Sequence, residues 1–477
     1  MNRLNFLTDI LSSLFDREAL NDAKTDARPV GELCEALLSG RGEMSGNRTA
    51  IAILEQFEQC DEHAQRDFFQ LLLNQFDIDA EAAVTAATAY ADNATPDHWR
   101  ALLETTEPRR QELLRRMNRF PGATSRLVAV RKRLLDFLRD TPEFSRIDTD
   151  FEHLFTSWFN RGFLVLRQID WDTPASILER IIRYEAVHAI NDWTDLRGRL
   201  QPQDRRCFGF FHPAMPDDPL IFVEVALTRS LPDSIQSVLS PERDALSPMD
   251  ADTAVFYSIS NCQRGLRGIS FGNFLIKQVA NELKVEFPNL TTFRTLSPVP
   301  SLMRWVGSQH AVSSELSEAC DVAAAFARSE AEADDVASAA KLKGLTAEYL
   351  TNQRRDDRQP MDPVARFHLG NGASLSEILV QADTSDKGLS QSAGVMVSYL
   401  YDLDAVEKNH EAYAGDRQIV ASKEVQAMVA AARPDPKSKT NAKSNAKSKP
   451  VSESTGSVTK KTGSKKSETS DRKVANG

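Results

Sequence analysis

A chain of 477 residues and 53.1 kDa, with 41% hydrophobic and 26% charged residues, has room for two or three domains and a sizeable core. That composition excludes a collagen-like or mostly disordered chain, and no apolar stretch reaches the ~18 residues that a membrane-spanning helix needs. The net charge of −10 is uneven: residues 434–477 hold ten Lys, one Arg and four acids, a surplus of seven positive charges, which leaves −17 on the rest. An acidic body argues against a dedicated nucleic-acid binder. Cys34, Cys60, Cys207, Cys262 and Cys320 are dispersed with no CxxC pair. They read as reduced thiols, not as a disulfide framework or a zinc site.

In chain order, the first segment, 3–20, has apolar residues at helical spacing with Asp9 and Asp16 on the polar side. Its acids fit neither a secretory signal nor a mitochondrial transit peptide, and the terminal VANG is not a peroxisomal signal. The expected location is cytoplasmic. The segments 29–39, 48–59, 63–76, 79–91, 97–118, 123–139 and 147–159 continue the helical pattern, with cap residues such as Thr95 before Pro96-Asp97. Residues 1–158 therefore read as an all-α bundle, used for oligomerisation.

The texture changes near residue 160. Short β-rich runs at 162–169, 206–211, 220–227, 254–260 and 291–296 are separated by helical patterns at 175–188, 273–286, 313–328 and 332–351. Two further ordered pieces, 367–380 and 394–403, precede an Ala-rich helix at 417–432. Strands interleaved with helices imply a mixed α/β layer over 159–432 and an α+β chain overall. Residues 433–477, rich in Lys and Ser, read as a disordered tail.

The most informative stretch is AVFYSISNCQRGLRGISFGNFLIKQVANELKVEFP, 254–288. A buried strand enters a turn bearing Gly265, Gly268 and Gly272, and a helix leaves it. The first N–H groups of such a helix lack intrahelical partners and form a site for a pyrophosphate. The spacing is neither GxxxxGK[ST] nor GxGxxG. The Arg-x-x-Ser-x-Gly pattern at Arg267, Ser270 and Gly272 resembles the coenzyme A loop of GNAT-type acetyltransferases, with Ser270 where Gly is usual. A Gly-rich connection with no ligand is the competing reading.

Four blocks together resemble the malonyl-CoA decarboxylase family: RRCFGFFHPAMPDDPLIFVEVALT (205–228), the 254–290 stretch, TLSPVPS (295–301), and DPVARFHLGNGASL (362–375) followed by GVMVSYLY (394–401). The resemblance covers roughly 160–405. It implies a helical domain for self-association, a catalytic domain of GNAT-like fold, malonyl-CoA as substrate and a place in fatty acid metabolism. It implies that Arg267, Gly268, Ile269, Ser270, Phe271, Gly272 and Asn273 form the coenzyme A loop. Ser297 matches the catalytic serine, His368 the catalytic histidine, and Tyr401 a tyrosine near the malonyl group. Ser270 stands where known members carry Glu. Ala175 and Pro213 stand where animal members carry bridging cysteines, so that linkage should be absent.

The chemistry is consistent with these residues. Loss of CO2 from a malonyl thioester needs a bound carboxylate, donors for the developing oxyanion and a proton for the α-carbon, with no metal or redox cofactor. The strand end from Phe256 to Ser260 and the Ser297 hydroxyl are candidate donors. Histidine suits the protonation, having an ordinary pKa of ~6.5, and Gly370 and Gly372 should leave room for substrate beside His368. An acyl-enzyme on Ser297 stays open, although no G-x-S-x-G elbow surrounds it. A coenzyme A-dependent acyltransferase acting on an amine, and a non-catalytic scaffold that only binds coenzyme A, also stay open. Homo-oligomerisation is expected, and neither nucleic acid nor membrane is expected as a partner.

Overall fold

The computed structural model describes residues 26–39, 43–269, 271, 275–309, 314–330 and 335–432. The helix expected over 3–20 and the Lys/Ser-rich segment 433–477 lie outside them. The chain opens with α1 (Val30–Leu38), α2 (Glu43–Gln59), α3 (Glu62–Gln75), α4 (Ala80–Asp92), α5 (Pro96–Thr106), α6 (Arg109–Met117), α7 (Ala123–Phe137) and α8 (Ser145–Trp158). Their starts follow local chemistry: the Asp61, Asp79 and Thr95 side chains accept from free N–H groups of the first turns of α3, α4 and α5. The single helix expected over 97–118 is two. Pro108 has no N–H to donate and holds the preceding Glu107 in an extended conformation, so α5 stops and α6 restarts. Phe69 centres the bundle, in edge or tilted contact with Phe57, Phe68, Phe137 and Phe144. By contrast, α4 and α5 contain no buried residue, and Val84, Trp99 and Leu103 are exposed on them.

The second part is a mixed sheet of eight strands among the described residues: β1 (Val165–Ile169), β2 (Arg205–Phe211), β3 (Ile221–Thr228), β4 (Thr253–Asn261), β5 (Thr292–Thr295), β6 (Ser297–Pro298), β7 (Ser374–Leu379) and β8 (Met396–Leu400). β1 to β4 form an antiparallel meander. The next connection crosses over, so β4 and β5 are parallel, from Thr253↔Thr292 to Phe256↔Thr295. β4 then continues to Asn261 without β5, and the sheet opens beyond Phe256. β8 bridges the far half, pairing with β5, β6 and β7.

Helices α9 (Ala175–Tyr184), α10 (Trp193–Leu200), α11 (Ile235–Leu239), α12 (Leu275–Glu286), α13 (Leu302–Gly307), α14 (Ser314–Ala327), α15 (Val336–Asn352), α16 (Pro363–Gly370), α17 (Asp386–Ser392), α18 (Val406–Asp416) and α19 (Lys423–Ala432) connect or cover the strands. The pattern at 175–188 ends early, at Tyr184, because the Glu185 carboxylate accepts from the Val187 and His188 N–H groups and turns the chain. The piece at 367–380 is the end of α16, a turn and β7, not one element. The Ala-rich helix starts at Lys423 instead of 417, and α10, α11, α13, α17 and α18 have no counterpart among the expected elements. One apolar cluster runs from Leu33 and Phe69 through Phe151 to Phe256, Ile276 and Tyr401, so the bundle and the sheet share a core. The described residues form one compact unit. No helix among the described residues is long and apolar enough to cross a membrane.

Gly372 closes α16. Its φ is +82°, and a Cβ there would lie 2.0 Å from the Val406 carbonyl oxygen, so α18 occupies the space that a substrate was expected to use. Gly372→Ala must therefore displace backbone as well as strain φ. It should destabilise the fold by about 2–4 kcal/mol, read as the midpoint of urea unfolding; an unchanged midpoint would contradict this packing.

Candidate functional site

The opening of the sheet determines what meets there. Strand alternation puts Thr295 and Ser297 on one face and Leu296 on the other, with an apolar cluster. β8 likewise presents Tyr399, and Tyr401 follows just past its end, where its N–H donates to the Phe293 carbonyl. α16 supplies His368. Pro363 occupies its first position, and Asp362 caps it by accepting from the Val364 and Ala365 N–H groups.

Ser297, His368 and Tyr401, separated by up to 104 residues in the chain, form one buried hydrogen-bonded series. The His368 ring places Nε2 3.0 Å from Ser297 Oγ and Nδ1 2.9 Å from Tyr401 Oη. Its ring stacks on Tyr399, with centroids 4.5 Å apart. Ser297 Oγ donates to Thr295 Oγ1 at 2.9 Å, and the same oxygen accepts the Tyr399 N–H at 3.0 Å. Thr295 sends its own proton toward the Val397 carbonyl. A hydroxyl has one proton and two lone pairs. Ser297, having given its proton to Thr295, accepts from Nε2–H, and the Tyr401 hydroxyl donates into Nδ1. The series runs in one direction, from Tyr401 to a backbone carbonyl, and defines the imidazole tautomer.

Burial decides the charges. It pushes the His368 pKa down to about 3, so the imidazole is neutral at rest. The same desolvation raises the Tyr401 and Tyr399 hydroxyls well above their usual range and keeps them protonated. It lifts Asp362 to about 6, against the pull of the backbone N–H groups it caps.

A cavity of about 510 Å³ lies along α16, and none of the side chains of this series lines it. Arg267, Gly268, Ile269 and Phe271 of the Gly-bearing turn line one side, and Phe367 and Gly370 of α16 line another. The helix that carries His368 therefore also walls the cavity reached by the turn. Ser270, Gly272 and Asn273, expected in the coenzyme A loop, lie outside the described residues. Of the strand-end donors expected from Phe256 to Ser260, the Ser258 and Ser260 hydroxyls are committed to Glu185. His212 accepts from the Ala214 N–H and bonds the Trp158 carbonyl, a strand-end role.

Sequence reasoning missed Thr295, Tyr399 and Asp362. Two of them left a signal: Thr295 stands two residues before Ser297 on one strand face, and Asp362-Pro363 is a helix-start pair. Tyr399 left none that separates it from a core residue.

The fold and site define the class: a GNAT-like sheet, splayed after β4 and fused to a helical region, whose opening carries a serine–histidine–tyrosine series. Comparison with known proteins identifies the family. Residues 162–440 match the malonyl-CoA decarboxylase C-terminal domain, and residues 76–159 match the malonyl-CoA decarboxylase N-terminal domain. The chain is 35% identical over 353 residues to the mitochondrial malonyl-CoA decarboxylase of Anser anser anser, spanning 68% of this chain and 69% of that protein. The crystal structure of malonyl-CoA decarboxylase from Rhodopseudomonas palustris is 48% identical, with a TM-score of 0.79 over 83% of this chain and 98% of that one. That from Agrobacterium vitis is 48% identical, with a TM-score of 0.77 over 84% and 99%. The chain belongs to the malonyl-CoA decarboxylase family, a family of carboxy-lyases.

The depressed His368 pKa has a defined sign in stability. The unfolded histidine gains a proton as pH falls below ~6.5 and the folded one does not until about 3, so its contribution is present above ~6.5 and lost as pH falls. Asp362, with its pKa raised, acts in the opposite sense and is common to wild type and variant. The stability of wild type relative to His368→Asn should therefore drop by about 2 kcal/mol between pH 7 and pH 5. Urea unfolding at the two values measures it; a pH-independent difference would mean that the imidazole titrates normally.

Proposed function

We propose that this chain converts malonyl-CoA to acetyl-CoA and CO2, with His368 as the proton donor. The observation that carries the reading is the buried Ser297–His368–Tyr401 series, whose helix α16 also walls a cavity bounded by the Gly-bearing turn, in a chain of this family. The bond between the α-carbon and the carboxylate breaks, its electron pair moves toward the thioester carbonyl, and CO2 leaves. The resulting enolate takes one proton at the α-carbon, so each turnover consumes one proton.

His368 is neutral before substrate arrives. A carboxylate brought beside a buried imidazole favours its charged form, so the substrate itself supplies the condition for protonation. Nε2 faces Ser297 Oγ, and the proton passes to the α-carbon through that hydroxyl, which also hydrogen-bonds the malonyl carboxylate or the thioester oxygen. The thioester carbonyl is the electron sink, so we assign no metal or redox cofactor. An acyl-enzyme would need an acceptor for an Nδ1 proton. Here the Tyr401 hydroxyl donates into Nδ1, which favours the direct route. Arg264, Arg267 and Arg366 border the cavity, as a pyrophosphate would require. The five unpaired thiols suit a reducing, cytoplasmic setting.

Incubation with malonyl-CoA and no acceptor should yield acetyl-CoA and CO2; turnover only after an amine is added would point to an acyltransferase instead. His368→Ala should lower kcat by roughly 10²–10⁴-fold, the usual contribution of a positioned acid. A wild-type rate in that variant would overturn the assignment.

For self-association we assign the α4–α5 hairpin, whose exposed Val84, Trp99 and Leu103 leave apolar surface for a second copy. Trp99→Asp combined with Leu103→Asp should lower the sedimentation mass to that of one chain. An unchanged mass would place the interface elsewhere.

A further inference from the structure

We propose that Arg131, in the helical region, is a positioning residue for coenzyme A, and that α7 braces from behind the turn that bounds the coenzyme A site. This rests on the reading that the Gly-bearing turn carries the pyrophosphate.

Arg131 is fully buried. Its Nη1 donates to two carbonyls of the turn, Gly265 at 3.0 Å and Arg267 at 2.9 Å. Its remaining donors go to acids of α8: Nε to Asp148 at 2.7 Å and Nη2 to Glu152 at 3.1 Å. Four donor contacts from one planar guanidinium thus tie the turn to two helices. The backbones also touch. A Cβ on Gly265 would lie 2.0 Å from the Val128 carbonyl oxygen of α7, so only glycine lets the turn settle there.

The consequence follows from peptide geometry. The C=O and N–H of a trans peptide point in opposite directions. With the Arg267 carbonyl drawn toward Arg131, the Gly268 N–H of the same peptide points away from α7, and Gly268 lines the cavity. Arg131 does not itself line the cavity and is not part of the Ser297–His368 series; it meets the lining only through the Arg267 carbonyl. Its effect is confined to where the turn sits and how its amides face.

Only the nucleotide half of the substrate should therefore feel its loss. The variants are Arg131→Lys, whose single ammonium cannot serve the two turn carbonyls and both α8 acids at once, and Gly265→Ala, which lifts the turn off α7 while leaving Arg131, Asp148 and Glu152 unchanged. Coenzyme A affinity is measured by calorimetry. Turnover is measured with malonyl-CoA and with malonyl-pantetheine, which lacks the nucleotide and pyrophosphate.

Both variants should bind coenzyme A roughly tenfold more weakly and raise KM for malonyl-CoA by a similar factor, with kcat within about twofold of wild type. Their kcat/KM for malonyl-pantetheine should stay within about twofold. Wild-type coenzyme A affinity in both variants, or an equal loss on both substrates, would overturn the assignment. Circular dichroism checks the fold, and if Arg131→Lys does not fold, Gly265→Ala decides alone. Wild-type protein that binds coenzyme A without releasing CO2 would sink the decarboxylase reading and leave the role of Arg131 standing on the affinities.

Discussion

The buried series of Tyr401, His368, Ser297 and Thr295 depends on a donor–acceptor order that burial imposes. A histidine cut off from solvent cannot stay charged without a partner, and a buried hydroxyl cannot stay unpaired without cost. Tyr401, His368, Ser297 and Thr295 meet both demands together, each giving one proton to the next until the Val397 carbonyl ends the series. Much of the catalytic half of the fold serves this order. β5 and β6 place two hydroxyls on one face, β8 and the residue after it bring two tyrosines against the ring, and the capped α16 delivers the imidazole between them.

The opposite face of the sheet solves a similar problem with charge. Glu224 is fully buried on β3 and pairs with Arg199 of α10. Burial pushes it up to about 8, beyond what the arginine restores. Glu185 nearby gathers two backbone N–H groups and the hydroxyls of Ser258 and Ser260. The Ser258 and Ser260 hydroxyls are thereby consumed on the side of α9 and α10, and the face that carries His368 is left to side chains from other strands. The one sheet holds an ionic cluster on one side and a neutral relay on the other.

Elements with strong local signals were legible in the sequence. Apolar spacing marked α3 and α4, and Thr95 before Pro96 marked the start of α5. The β4–turn–α12 stretch stood out because its glycines sit between a buried strand and an amphipathic helix. The family blocks led to Ser297, His368 and Tyr401, which the fold brings into contact. What stayed hidden depends on distant partners. α18 buries little beyond Val406 and Tyr413, so its pattern was too weak to read. Gly372 looked like space for a ligand because its filling, the Val406 backbone, lies 34 residues away. Arg131 had no local mark, since both carbonyls it holds are more than 130 residues further along the chain.

The shared core and the contact of Gly265 with α7 set a limit on modularity. The helical and α/β portions are separate in secondary structure, yet neither has a complete surface of its own where they meet. An excised α/β half would lose the α7 surface on which Arg264–Leu266 packs and would leave its glycine turn unsupported. Chimeras between family members should accordingly exchange α7, α8 and the turn as a single cassette, because divergence in one imposes matching change in the others.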